Sequence, residues 1–218
     1  MIWCNTSKQV FKKQTCFLQV VCFLGVMLGV LCQFLGAKNL SYMASSYQVG
    51  MVFVRSLNAN KLLQGADILL GYEVNPKNDW AYSRYYIFVD YGNVLFANNS
   101  TLQANMFTYG VGGDFMVAYN KNPINRWAFF FGLQLAANTW IMNHKVQNLI
   151  VNTWDSIKDF HFTNTYFRAI GQFGVQFRTI ILHHDFDVEL GMKIFLTPES
   201  RSAFERSFLF FVSHSWHF

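Results

Sequence analysis

Long runs of period-two alternation are the feature that most narrows what this sequence can fold into. Between Asp185 and Leu196, the residues Phe186, Val188, Leu190, Met192, Ile194 and Leu196 alternate with Asp185, Asp187, Glu189, Gly191, Lys193 and Phe195. Successive side chains of a strand point to opposite faces, so the window predicts one apolar face and one mostly charged face. A helix would spread those charges around its circumference. The preceding window repeats the pattern, with Phe167, Ala169, Phe173, Val175 and Phe177 set against Arg168, Gln172, Gln176 and Arg178. Two more windows, Tyr85–Tyr91 and Phe107–Tyr119, do the same and place Asp90 and Asp114 on the polar side.

Eight such segments are predicted, at about 42–55, 64–74, 80–91, 104–119, 127–137, 165–178, 185–196 and 206–218. Most are longer than the roughly 5 to 6 residues usual for strands of globular proteins, and match the roughly 9 to 11 that a tilted strand needs to cross a bilayer. Short connections with turn residues follow the second, fourth and sixth segments, including Asn75-Pro76-Lys77-Asn78-Asp79. Longer ones follow the third and fifth, the latter running from Asn138 to Asn164. This is the layout of a transmembrane barrel. Hydrocarbon offers no partner to a backbone N–H or C=O, so a spanning sheet must close on itself. The expected fold is all-β, a closed antiparallel transmembrane β-barrel of about eight strands. Its apolar face meets lipid and its polar face lines the lumen.

Composition agrees with that inversion. Of 218 residues only 13% are charged, while 18% are aromatic, with 24 Phe. Soluble domains carry roughly 25% charged residues. All four cysteines, Cys4, Cys16, Cys22 and Cys32, precede residue 33, which excludes a disulfide framework in the remainder. Lys8, Lys12 and Lys13 account for 3 of the 17 Lys and Arg residues, leaving 14 against 12 Asp and Glu beyond residue 37. That near-neutral balance gives no electrostatic case for a nucleic-acid partner.

The basic stretch, the uncharged run from Cys16 to Leu35 and the small pair Gly36-Ala37 follow the order of a secretory signal. We expect a signal peptide over 1–37 and the barrel over 38–218. An uncleaved helix is the alternative, since about 20 apolar residues also suffice to span a bilayer.

Large amphipathic rings sit near the predicted strand ends, among them Trp80, Tyr91, Tyr109 and Trp127, as suits the interface between lipid and water. Phe218 ends a period-two strand, with Trp216, His214, Val212, Phe210 and Phe208 before it. An aromatic C-terminus of this kind resembles the signal read by the outer-membrane barrel assembly machinery. The expected partners are therefore that machinery, through Trp216 and Phe218, and outer-membrane lipid.

Three blocks, Trp80–Asn93 (WAYSRYYIFVDYGN), Met106–Asn122 (MFTYGVGGDFMVAYNKN) and Phe131–Trp140 (FGLQLAANTW), together with the C-terminal strand, resemble the C-terminal barrel region of the Hop/Hor-type outer membrane proteins of Helicobacter. The resemblance covers about 75–218. It implies an integral protein of the bacterial cell outer membrane with surface loops, in a family containing adhesins and some porins.

Catalytic patterns are not found: Gly110, Gly112 and Gly113 lack the spacing and the following helix of a phosphate-binding loop. Their expected role is to relieve crowding in a curved strand. His183, Asp185, Asp187 and Glu189 share a parity and would suit a lumenal metal site, but the reading preferred here is a polar interior with carboxylates paired across strands to Arg168 and Arg178. The expected lumenal charge network is Asp90, Asp114, Arg168, Arg178, Asp187, Glu189 and Lys193, with no catalytic residue, metal or cofactor. The uncharged segment Trp127–Met142 would also suit a short buried helix, and the strand reading is kept for it.

Function then turns on barrel size. Eight strands enclose just enough room for side chains, whereas open porins need about 16. The expectation is a plugged, non-catalytic barrel acting in envelope structure or surface interaction, with a host or surface ligand left unnamed. Its longest loop, carrying Trp140 and Trp154, is the expected contact surface. A narrow porin-like channel is the alternative.

Overall fold

The computed structural model describes residues 40–74, 80–96, 103–120, 122, 125–142, 144–146, 148, 165–181, 184–197 and 204–218. The expected signal peptide lies outside them. Eight strands follow one another: β1 Leu40–Val54, β2 Ala59–Val74, β3 Ala81–Leu95, β4 Gln103–Ala118, β5 Asn125–Met142, β6 Thr165–Ile181, β7 His184–Phe195 and β8 Phe204–His217. Each pairs antiparallel with its sequence neighbour, and β1 pairs with β8 to close the barrel. The Phe218 N–H reaches the Ser41 carbonyl at 2.9 Å, carrying the closing ladder one residue past β8. No described helix is long and apolar enough to cross a membrane.

Two boundaries differ from expectation for one physical cause, and a third difference lies within a strand. β2 begins at Ala59, directly after a 3-10 turn at Arg55–Leu57 and an Asn58 with φ of 47°. Asn tolerates that left-handed backbone. The segment Ala59–Leu63 pairs with β1 although Asn60 faces outward as a polar residue. At the same rim, β5 runs as strand to Met142, past Asn138, where the expected loop starts. Apolar alternation records the depth of the lipid, whereas hydrogen-bonded pairing continues past it into water.

The third difference lies in β8. Gly50 pairs with Leu209, but Val52 pairs with Arg206, so β8 holds one residue more than β1 over this stretch. Such a bulge inverts the parity of the strand, and Arg206 and Leu209 are both buried. Gly50 permits it: a Cβ there would lie 2.7 Å from the Phe208 carbonyl oxygen.

The outer face is apolar over its middle, with ring pairs such as Phe115–Phe131 at 5.3 Å and Trp127–Phe177 at 4.8 Å crossing between strands. Leu190 sits centrally in β7, opposite Val175 and Val212 and 54% exposed. Replacing it by Arg is expected to destabilise the membrane-inserted barrel by about 2–4 kcal/mol, the penalty for a cation at the bilayer midplane. Denaturant unfolding in lipid vesicles reads this directly, and an unchanged midpoint would place β7 outside the hydrocarbon.

Candidate functional site in the barrel lumen

Inward-facing side chains carry six of the chain's twelve carboxylates: Asp67, Glu73, Asp90, Asp114, Asp187 and Glu189 are all buried. Five buried cations, Arg84, Arg168, Arg178, Lys193 and Arg206, accompany them among the described residues. Unpaired charges in such an interior would be very costly, so the geometry is governed by pairing. Three of the cations each hold two carboxylates.

Nearest the rim that carries the C-terminus, Arg178 binds Asp187 through Nε and Nη2, at 2.7 and 2.8 Å, and Glu73 through Nη2 at 2.7 Å. His217 Nδ1 lies 3.2 Å from the Asp185 carbonyl, which calls for a proton on Nδ1, and its Nε2 lies 3.2 Å from Arg178 Nη2. Ligand atoms of Glu73, Asp187 and His217 converge within 4.8 Å. The guanidinium of Arg178 already supplies the cation these groups face, so the cluster is an ion-pair network.

In the middle of the lumen Arg84 reaches Asp114 at 2.9 Å and Glu189 through both terminal nitrogens. Asp114 Oδ1 also accepts from the Tyr86 hydroxyl at 3.1 Å and from Gln172 at 2.6 Å. The Tyr86 ring gets its place from Gly112, where a Cβ would lie 2.5 Å from it. That is the crowding the glycines of β4 relieve.

Closer to the loop rim, Lys193 lies 2.7 Å from Asp67 and 3.7 Å from Asp90. These two carboxylates sit directly opposite each other on β2 and β3, an arrangement that repels unless a cation is supplied. Lys193 supplies it from β7.

Above these clusters the chemistry changes. The Phe195 ring lies between the guanidiniums of Arg168 and Arg206, at 4.1 and 4.3 Å. Trp140 stacks on Phe204 at 4.1 Å and donates to the Tyr166 hydroxyl at 3.0 Å. Together with Val54, Val94, Met106, Leu209 and Val146 they form a buried apolar cluster across the loop end of the lumen. Val146, in the connection between β5 and β6, packs into this cluster at the barrel mouth.

The seven charges expected in the lumen all face inward, but one expected pairing is corrected. Arg178 meets Asp187 across β6 and β7, whereas Glu189 meets Arg84 from β3 and not Arg168, which lies nearer the loop rim over Phe195. Trp140 is likewise corrected: it is a buried residue of β5 and not part of an exposed loop, because β5 outlasts its apolar alternation. Trp154 and His183 lie outside the described residues. Trp80 and Trp127 are exposed near the C-terminal rim; Tyr91 is exposed and Tyr109 half-buried on β3 and β4, their hydroxyls near Asn105 and Thr139. Trp216 packs on Phe186 at 4.8 Å and Phe218 is exposed. His214, on the lipid face, meets Ser45 at 3.2 Å close to the strand end.

Sequence reasoning missed Asp67, Glu73, Arg84, Arg206 and His217. For Arg84 the signal was available, since it shares the parity of Asp90. For Arg206 it was not, because the bulge reverses parity between it and the C-terminus.

Residues 67–218 match the model of the family described as Helicobacter outer membrane protein. No curated protein matches the chain. Among solved structures, the chain is similar to Ail, the attachment invasion locus protein of Yersinia pestis, in complex with the heparin analogue sucrose octasulfate, at 10% identity and a TM-score of 0.45, over 83% of this chain and 99% of that one. Neisserial surface protein A is similar at 12% identity and a TM-score of 0.45, over 81% and 95%. The N-terminal β-barrel domain of Pseudomonas aeruginosa OprF follows at 11% and 0.39, over 82% and 97%.

Proposed function

Because this chain belongs to the Helicobacter outer membrane protein family and is an integral outer-membrane β-barrel, we propose that it is a non-catalytic protein acting at its loop rim, in envelope structure or adhesin-like surface contact, and not by passing solutes through its lumen. The observation that carries this reading is the filled interior. Three cation–carboxylate clusters and an apolar cap occupy the lumen from one rim to the other. A through path would require breaking buried ion pairs and displacing the Trp140 cap. The loop rim remains as the working surface, and the connection from 143 to 164 is the longest there. Loops held by a rigid scaffold are where binding residues concentrate. Outer-membrane lipid is the partner of the apolar exterior, and the assembly machinery reads Trp216 and Phe218.

Two experiments test the proposal together. The refolded chain in planar bilayers is expected to be silent, and reproducible single-channel steps would contradict it in favour of a narrow channel. Deleting residues 149–162 is expected to abolish surface binding by whole cells while leaving the barrel heat-modifiable on gels. Binding that survives this deletion contradicts the loop-rim reading.

A further inference from the structure

We propose that the lumen contains a built hydration site, a cavity between the Arg84 and Lys193 clusters that holds a single trapped water. The cavity is about 20 Å³ and is lined by Tyr42, Ala44, Arg84, Gln134 and Lys193 among others. One water needs at least about 10–15 Å³ measured this way, and two to four polar partners. Three residues of its lining carry such atoms. Tyr42 Oη, Arg84 Nε and Gln134 Oε1 are buried side-chain atoms without a hydrogen-bond partner, and all three residues line this one cavity.

Their donor and acceptor types identify the occupant. Arg84 Nε can only donate and Gln134 Oε1 can only accept, while the Tyr42 hydroxyl does both. The Gln134 amide nitrogen is committed to Tyr86 at 3.1 Å and to Gln172 at 2.8 Å, which turns its oxygen away from both. The occupant must therefore take a hydrogen bond from Arg84 and give one to Gln134. A metal or alkali cation cannot accept from an N–H. An anion would sit against Asp114 and Glu189, which line the same space. A neutral molecule of one heavy atom that both gives and takes hydrogen bonds satisfies all three.

Packed side chains stand on either side of the cavity along the barrel axis. Toward the C-terminal rim the Tyr42 ring stacks on His217 at 5.5 Å, beside the Arg178 cluster. Toward the loop rim stand Lys193 with its two carboxylates and then the Trp140 cap. Exchange of this water with bulk therefore waits on an opening of the barrel interior, which makes its residence time a measure of how tightly the lumen is sealed.

Magnetic relaxation dispersion of water ¹⁷O and ²H on the refolded full chain in micelles tests this. The native chain is expected to show a long-lived component worth one water per chain. Ala44→Val fills the cavity and is expected to remove that component with the fold intact. Tyr42→Phe, which keeps the ring, is expected to shorten the residence time at least tenfold, and it serves as the test should Ala44→Val fail to fold. A native chain without the component, or variants indistinguishable from it, overturns the inference. It rests on the closed lumen proposed above, and the two fail separately: a missing component with silent bilayers removes only the water, whereas conductance steps remove the seal.

Discussion

Arg84→Met is expected to destabilise the barrel by about 3–5 kcal/mol, because it strands Asp114 and Glu189 in the lumen without their shared cation. Both carboxylates keep only neutral donors, Tyr86 and Gln172 for Asp114 and Gln176 for Glu189. Methionine occupies a similar volume, so the loss reports charge more than packing. Denaturant unfolding in micelles measures it, and a control separates the causes. In the triple variant Arg84→Met, Asp114→Asn, Glu189→Gln, most of the loss is expected to return, since replacing every partner of a buried ion cluster by neutral groups is often close to neutral in stability. Equal destabilisation of single and triple variants would show that Arg84 acts through its contacts with the Tyr42 and Phe130 rings.

Trp140→Ala is expected to have a comparable effect by a different route. The side chain is fully buried, stacked on Phe204 and hydrogen-bonded to Tyr166, and it lies within the cap on the loop end of the lumen. Removing a buried tryptophan costs about 3–5 kcal/mol in transfer and cavity terms. Here the loss falls at one rim, so the outcome should be graded along the barrel axis. Hydrogen exchange is expected to accelerate in the first residues of β6 and β8 and the last of β5, with little change near Arg178. Uniform acceleration would contradict a separate cap. Trp140→Phe, which keeps the stack and loses the indole N–H, is expected to cost about 1 kcal/mol, the ordinary worth of one hydrogen bond.

How much of this was legible in the sequence depends on how far parity alone carries. Asp187, Glu189 and Lys193 are inward because each alternates with an apolar residue in an unbroken run, and nothing interrupts β7. Arg206 was not legible. Counting back from Phe218 puts it on the lipid face, and only the register shift opposite Gly50 turns it inward. Partners were harder than faces. Local pairing reveals Arg178 with Asp187, since β6 and β7 are joined by a short turn. It cannot reveal Arg84 with Glu189 or Lys193 with Asp67, whose partners stand across the lumen on strands far apart in sequence. The cap was hidden for a third reason. Trp140 follows the polar pair Asn138-Thr139, which reads as a loop, but Asn138 faces the lumen, where it accepts from Arg206 and Thr108.

The apolar face of the sheet meets lipid, while the charged face is turned inward, away from lipid and bulk water. Residues 33–218 contain no cysteine, so in the chain from Lys38 onward single nitroxide labels can be placed cleanly through Ala128→Cys, Phe129→Cys, Leu135→Cys and Ala136→Cys, two adjacent inward and outward pairs on β5. In vesicles, collision with dissolved oxygen should be high at 129 and 135 and low at 128 and 136, while a water-soluble nickel reagent should reach none of the four. Nickel access at 129 and 135, or equal oxygen access within each pair, would contradict the membrane barrel.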